Sequence, residues 1–338
     1  MLSVPYHSLV LLSNRNLKNK FPIHEFVDIE SIKGTLNHRD CNPDVLFEEI
    51  FYVLESKFRL GDRVVMVVND QYQKELYAKF CEDNGAKIFV GDADYKPVLQ
   101  PNPKNFSGIT VIGDVHGDID NLRSAIKWGI GRSNLLCFLG DIIDYGNDNI
   151  EVMNTVYSLV MQGKAIMMMG NHERKILKWL NNKKVKLSDG NMKTVNNLNK
   201  LSDEEKQKWI GRFKSLCAHT KVVYEIDDFV FTHGAVHQSY WLKENNKNLE
   251  HYAYYGESSD NNSLNYRLMY NWVNYIPKNK TVIVGHDTRS TVAPLIMNSS
   301  NGGSAIFLDT GSGKGGKLTS ADLKFDNNKL KLSNYNKY

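Results

Sequence analysis

Apolar and polar positions alternate in short blocks along this 338-residue chain. In the first ninety or so residues, SLVLLS and HEFVDIE read as short strands, RVVMVVND as a buried strand, and AKIFVGD as another. Between them PDVLFEEIFYVLESKFRLG places Leu46, Ile50, Val53 and Leu54 at helical spacing and stops at Gly61, while QYQKELYAKFCEDNG has an amphipathic period. Strands alternating with helices predict a parallel sheet with crossover connections. The segment 95–108, YKPVLQPNPKNFSG, breaks this pattern with three prolines and a final glycine and reads as a linker. It separates a small α/β module, residues 1–94, from a larger one, residues 109–338.

The larger module has a different rhythm. Six apolar runs, ITVIGD, LLCFLGD, AIMMMGN, FVFTHG, TVIVGH and AIFLDTG, each end on a polar residue followed at once by chain reversal, so their polar ends can gather on one rim. Between the third and fourth runs, residues 174–220 are rich in Lys and Asn and hold the helical stretches ERKILKWLNN and SDEEKQKWIGRFKSL, which predict a helical cap. KLTSADLKF alternates as a strand does, and the polar tail DNNKLKLSNYNKY is expected to fray.

Composition places the chain among ordinary globular proteins, with 41% hydrophobic and 24% charged residues, and the net charge of +4 permits an anionic substrate without demanding one. Four widely spaced cysteines without a C-x-x-C pair point to reduced thiols. The apolar run near the N-terminus is too short to cross a bilayer and lacks a secretory signal's basic start, so a cytoplasmic protein without membrane contact is expected. The Asn- and Lys-rich composition hints at an AT-rich genome, including that of a virus expressed in host cytoplasm. It leaves homo-oligomer formation open.

FLDTGSGKGGKLT superficially matches a phosphate-binding P-loop. Leu318 stands where that motif needs a magnesium-binding hydroxyl, and the following residues have a strand period instead of a helical one, so no tight nucleotide cofactor is expected there.

The strand ends carry the chemistry. In order they present Asp114 and His116 in GDVHGD, Asp141 and Asp144 in GDIID, Asn171 and His172 in GNHE, His233 in THGA and His286 in VGHD. Carboxylate oxygen mixed with imidazole nitrogen suits divalent Mn, Fe, Zn or Ni better than Mg or Ca, and no thiolate takes part. The set is large enough for two ions that share a carboxylate. Such a pair makes hydroxide from a bridging water and clamps an in-line displacement at phosphorus, which predicts phosphoester hydrolysis.

This ordered set resembles the signature of the calcineurin-like metallophosphoesterases, GDxHG, GDxxDRG, GNHE, H and GH, across about residues 109–324. The resemblance implies a four-layer α-β-β-α sandwich with the metals, expected to be Mn2+, at the strand ends. It further implies that Asp114, His116 and Asp141 hold one metal, and that Asp141, as bridge, holds the other with Asn171, His233 and His286. His172 would be the general acid, oriented by Asp144. Glu173 has a weaker case, as a favourable charge at a helix start.

One position departs from the signature: GDIIDYG places Tyr145 where the family has a phosphate-binding arginine. The runs YGESSDNNSLNYRLMYNW and FLDTGSGKGGKLTS are similar to the phosphatase module of bacterial polynucleotide kinase-phosphatase, through Tyr255, Gly256, Glu257, Arg267 and Trp272. That similarity makes Arg267 the leading candidate to replace the missing charge, with Tyr145, Arg289 and Lys317 as further substrate contacts. Trp272 reads as core. By the same resemblance the first module looks like the later half of a P-loop kinase whose loop is lost, since NRNLKNK follows the first strand and holds no glycine.

The leading expectation is a binuclear phosphoesterase acting on nucleic-acid or nucleotide termini, including RNA or DNA ends bearing terminal or 2′,3′-cyclic phosphates. A protein serine/threonine phosphatase is the main alternative, dinucleoside polyphosphate hydrolysis ranks third, and a non-catalytic nucleic-acid or protein binder is the alternative from another class. The lysines Lys175, Lys178, Lys183, Lys184 and Lys186 of the insert are compatible with a polyanion but read more simply as a solvated helix face.

Overall fold

A computed structural model of the chain describes residues 8–12, 26–27, 64–67, 87–90, 101–244, 248–257 and 268–338. The chain divides into two compact units, Met1–Gln100 and Pro101–Tyr338. In the first, β1 (Ser8–Leu12), β2 (Phe26–Val27), β3 (Val64–Val67) and β4 (Lys87–Val90) form a parallel sheet in the order β2-β3-β1-β4. The helices expected at 43–61 and 71–85, and with them the kinase-like reading of this unit, lie outside the described residues.

The second unit is built on two mixed five-stranded sheets. One has the order β14-β13-β5-β6-β7, with β5 (Gly108–Ile112), β6 (Leu135–Phe138) and β7 (Ala165–Met167) parallel, and β13 (Thr319–Asp326) and β14 (Lys329–Lys337) antiparallel on its edge. The other has the order β11-β12-β10-β9-β8: β9 (Phe229–Thr232), β10 (Thr281–Val284) and β12 (Ser304–Phe307) are parallel, flanked by antiparallel β8 (Val223–Ile226) and β11 (Leu295–Asn298).

Side-chain alternation explains why the strand sequences are apolar at every position. Ile109, Val111, Leu135, Cys137 and Ile166 of one sheet share a core with Phe229, Phe231, Ile283 and Ile306 of the other. Their neighbours Ile112, Leu136, Phe138 and Met167 face a helical layer instead, and Val230, Val282, Val284 and Phe307 pack against Trp272, Val273 and Ile276. A strand buried on both faces has no polar side to display, which is why these runs carry no period-2 signal.

The helical layer contains α1 (Ile119–Ile130), α2 (Asn149–Met161), α3 (Asn171–Leu180), α4 (Asp189–Leu198) and α5 (Asp203–His219). Ser202 and Glu205 close a reciprocal cap at the start of α5, whose Trp209, Phe213 and Leu216 are buried in the core beneath it. No described helix is long and apolar enough to cross a membrane. The C-terminal tail corrects one expectation. It does not fray but forms β14, whose Leu330 is buried, because Asn327 and Asn328 both take left-handed conformations (φ 49° and 62°) and close a tight hairpin onto β13.

Candidate metal centre and active site

Five parallel strands deliver the candidate residues. β5, β6, β7, β9 and β10 end immediately before the turns holding Asp114, Asp141, Asn171, His233 and His286, at the carboxyl ends where open α/β sheets bind ligands. The turns are abrupt. His116 (φ 48°), Asp141 (47°), Asp144 (78°), Tyr145 (56°) and His286 (65°) all adopt left-handed backbone, at an order of 1–3 kcal/mol each for residues with a Cβ. Neighbouring contacts hold them there: the N–H groups of Val115 and His116 donate to the Asp141 carbonyl at 3.1 and 3.0 Å. The motif glycines answer to sterics. A Cβ on Gly170 would lie 2.2 Å from Asp141 Oδ1, and one on Gly285 would lie 2.1 Å from Asp114 Oδ1.

Two clusters result. His116, Asp141 and His172 present nitrogen or oxygen atoms within 4.8 Å of one another, as do Asp141, His233 and His286, and Asp141 belongs to both. Asn171 joins the second cluster, its Oδ1 standing 2.9 Å from His233 Nε2 and 3.0 Å from His286 Nδ1. Asp114 flanks the first, with Oδ2 3.8 Å from His116 Nε2, and accepts the His286 backbone N–H at 3.1 Å.

The donor set fits divalent cations. His116 and His233 each give the Nδ1 proton to a main-chain carbonyl, Ile143 at 2.9 Å and Leu139 at 2.9 Å, which turns the Nε2 lone pair inward. His233 Nε2 then faces two acceptors, Asn171 Oδ1 and, at 3.3 Å, Asp141 Oδ2, while His116 Nε2 is buried with no hydrogen-bond partner. Such contacts in a dry site are repulsive unless a proton or a metal ion lies between the atoms; burial lowers the His233 imidazole, but the charge and hydrogen bond of Asp141 outweigh it and raise it. Burial pulls the imidazoles of His116 and His286 down to about 4, so both are in the neutral form that ligates. Burial, then the charges of Asp309 and Asp141, push the Asp114 carboxyl well up, which is the crowding a divalent ion relieves.

A family model described as calcineurin-like phosphoesterase matches residues 108–290. The chain belongs to this family. It is therefore a hydrolase of a kind that uses divalent metals, and the reading as a non-catalytic binder falls away. Among curated relatives it is 28% identical to a bis(5′-nucleosyl)-tetraphosphatase (asymmetrical) of Halalkalibacterium halodurans, a match covering 62% of this chain and 87% of that one. It is 25% identical to the protein of the same name from Oceanobacillus iheyensis, over 62% and 86%. Among solved structures, a metallophosphoesterase from Sphaerobacter thermophilus matches with a TM-score of 0.37 at 18% identity, covering 68% of this chain and 89% of that one.

Within this calcineurin-like phosphoesterase, His172 is the last member of the first cluster in chain order, after His116 and Asp141. Its Nδ1 is 2.6 Å from Asp144 Oδ2. Asp144 is itself pinned by residues that the motif reading missed: Asn191 Nδ2 also donates to Oδ2, and the Thr194 hydroxyl donates to Oδ1 at 2.5 Å. Both stand on α4, whose first turn is fixed by a reciprocal cap in which Asn191 Oδ1 accepts the Ser188 N–H at 2.9 Å. One Asn191 amide thus caps the helix with its oxygen and holds Asp144 with its nitrogen. The sequence signal was available, as Ser188 three residues before Asn191 is a variant of the capping box. Burial lowers the His172 imidazole, but the charges of Asp141 and Asp144 and the hydrogen bond to Asp144 outweigh it and hold the group at about 8.

Glu173 has a larger role than a charge near a helix start. Fully buried, it accepts the backbone N–H groups of Asp141 at 2.8 Å, Ile142 at 2.9 Å and Ile143 at 3.3 Å, clamping the turn that carries Asp141. Glu173→Ala would orphan those donors. Thermal or denaturant unfolding is expected to show a loss of about 3 kcal/mol, with partial recovery in Glu173→Gln; an unchanged midpoint would mean that the turn holds itself.

The substrate candidates are less uniform. Arg267 lies outside the described residues. Arg289 is ion-paired with Asp287, Nε to carboxylate at 2.9 Å. Lys317 is exposed on the exit of the glycine loop, its backbone N–H bonded to the Thr310 carbonyl at 3.2 Å. Tyr145 packs edge-on against His116, with ring centres 4.9 Å apart, and lies 5.3 Å from His172. Trp272 is buried in the core as expected, and Glu257 accepts its backbone N–H at 3.0 Å. Asp309 is buried and was not singled out from the sequence; its carboxylate accepts the Thr288 hydroxyl at 2.5 Å and the Gly311 N–H at 2.9 Å.

Proposed function

We propose that this chain is a binuclear metal-dependent phosphoesterase whose substrate is a nucleotide, with bis(5′-nucleosyl) tetraphosphates as the first class to test. The observation that carries the reading is the pair of side-chain clusters that share Asp141, with His172 of the first backed by Asp144. The substrate class is supported by the relatives named tetraphosphatases, of whose length this chain covers 86–87%. It ranked below nucleic-acid termini on motifs alone.

Asp114, His116 and Asp141 would hold one ion, and Asp141, Asn171, His233 and His286 the other. Bound there, a pair of divalent ions supplies Lewis acidity, lowering the pKa of water and offsetting charge on the phosphate. The mixed carboxylate and imidazole donors favour Mn2+, with Fe, Zn and Ni as the other metals that fit.

The chain's own groups supply orientation and a proton. With Asn191 Nδ2 donating to Oδ2 and the Thr194 hydroxyl to Oδ1, Asp144 is the acceptor of this group and His172 Nδ1 is the donor to it. That fixes the ring and leaves His172 Nε2, on the cluster side, 3.8 Å from Asp141 Oδ2, to deliver a proton to the leaving oxygen.

A manganese-loaded preparation should be assayed against diadenosine tetraphosphate, a 2′,3′-cyclic nucleotide, a 3′-phosphorylated oligonucleotide and a phosphopeptide. The expected result is cleavage of the tetraphosphate to ATP and AMP, with little phosphate released from the peptide. Turnover confined to the phosphopeptide would overturn the nucleotide reading and favour the serine/threonine phosphatase alternative.

A further inference from the structure

The glycine loop at residues 311–316 lies against the first ligand turn. Gly311, Gly313 and Gly315 have φ of 81°, 68° and 92°, and a Cβ on Gly313 would lie 2.3 Å from the His116 carbonyl oxygen. The Ser312 hydroxyl fastens the loop to the same turn through the Val115 carbonyl at 3.0 Å and Asp118 Oδ2 at 3.2 Å. Internally, the Lys314 and Gly316 N–H groups both donate to the Gly311 carbonyl, at 3.0 and 2.8 Å. Such a loop has little slack, so the side chain leaving its tip is delivered to a defined place.

That side chain is Lys314. It is solvent-exposed, and its ammonium sits 4.5 Å from the centre of the Tyr145 ring. Tyr145 in turn packs against His116 and His172, so the ammonium, the candidate proton donor and the first ligand cluster surround one spot. A cation held by an aromatic face close to a cluster of carboxylates, yet open to solvent, is placed to meet an incoming anion. Tyr145 supplies only a face and one hydroxyl, so the positive charge at this corner comes from the facing loop.

We propose that Lys314, steadied over the Tyr145 ring, binds the substrate's phosphate and supplies the charge that the tyrosine at position 145 lacks. The assignment rests on the phosphoesterase reading, and on geometry that Lys317 does not share. Lys314 is a point charge on a flexible stem, so it recognises a phosphate by charge and leaves the bidentate fork of an arginine unmatched.

The test uses the full chain loaded with manganese. Inorganic phosphate binding is measured by calorimetry, and KM and kcat are measured with diadenosine tetraphosphate and an aryl phosphate. Lys314→Ala is expected to weaken phosphate binding and raise KM by about 10-fold, the size of one lost charge-assisted contact, with bound manganese unchanged and kcat affected much less. Lys314→Arg should recover most of the loss. Tyr145→Leu, which removes the ring face, should weaken phosphate binding by about 3-fold, and Tyr145→Phe, which keeps the face, should weaken it less. Phosphate affinity unchanged in Lys314→Ala overturns the proposal, as does a loss confined to Lys317→Ala or a wild-type chain that binds no phosphate. If the wild type binds phosphate but hydrolyses no nucleotide, the substrate reading fails while the affinity of Lys314→Ala still decides this one.

Discussion

Replacing Asp141 with asparagine is expected to abolish both turnover and manganese-induced stabilisation while leaving the metal-free protein folded. Asp141 is the one residue that belongs to both ligand clusters. Its Oδ2 approaches His233 Nε2 at 3.3 Å and His172 Nε2 at 3.8 Å, and its Oδ1 accepts the His172 backbone N–H at 2.9 Å. Burial would raise this carboxyl, but His233 and then His172 outweigh it and hold the group well below the usual range. Asparagine keeps the volume and one acceptor but removes the shared charge. The activity loss should therefore far exceed the roughly 10–100-fold cost of losing a contact that only supports a ligand. Differential scanning calorimetry with and without manganese separates the effects, since an ion that binds only the folded state raises its midpoint. A variant that still gains stability on adding manganese would show that Asp141 is not the shared ligand. Asp114→Asn, at the edge of a single cluster, should cost less.

The strand ends were legible because the sequence makes two statements at once there. The run LLCFL is apolar at every position, as a doubly buried strand must be, and its break falls on Gly140, which has φ 104° and where a Cβ would lie 2.7 Å from the Gly170 backbone nitrogen. Resemblance supplied the pairing of those ends, and the turns in left-handed backbone brought Asp114, Asp141, Asn171, His233 and His286 together. The antiparallel strands β8 and β11 were not seen. For β8 the signal was Asp227, left-handed at φ 53° in the turn EIDDFV, which joins two short runs into a hairpin. The tail failed for a related reason: KLKLSNYNK is polar, and only the Asn327–Asn328 turn marks it as the second arm of a hairpin.

α4 shows a different limit. DGNMKTVNNL has few apolar positions, and its buried Val195 and Leu198 are too few to print a helical stripe. It is nevertheless the element that fixes Asp144, through Asn191 and Thr194. The side chains of the two candidate ligand clusters are spelled in motifs, whereas those that hold them in place are ordinary Asn, Thr and Glu residues whose contacts exist only in three dimensions. Lys314 and Lys317 make the same point: three residues apart in one loop, they are told apart by backbone geometry and not by spacing.

His172→Ala is expected to lower kcat by about 10²–10⁴-fold, the usual worth of a positioned proton donor, without loss of bound manganese. The second half of that statement is the discriminating one. His172 falls within the 4.8 Å cluster of His116 and Asp141, so proximity alone would allow it to serve as a ligand. Against burial, Asp141 and Asp144 hold its imidazole up at about 8, toward the protonated form, which favours the donor role. Nδ1 is committed to Asp144, which is also bonded to Asn191 and Thr194, an arrangement that holds a ring able to carry a proton on Nε2. A proton donor matters most when the leaving oxygen is a poor leaving group. The defect should therefore be large for an alkyl phosphate and much smaller for an aryl phosphate, whose leaving anion is stable. Asp144→Asn should reproduce the pattern in milder form, because an amide must turn an N–H toward one of three donors that the carboxylate accepts. Equal losses on both substrates, accompanied by loss of manganese, would instead make His172 a ligand and leave the leaving oxygen to be protonated from solvent.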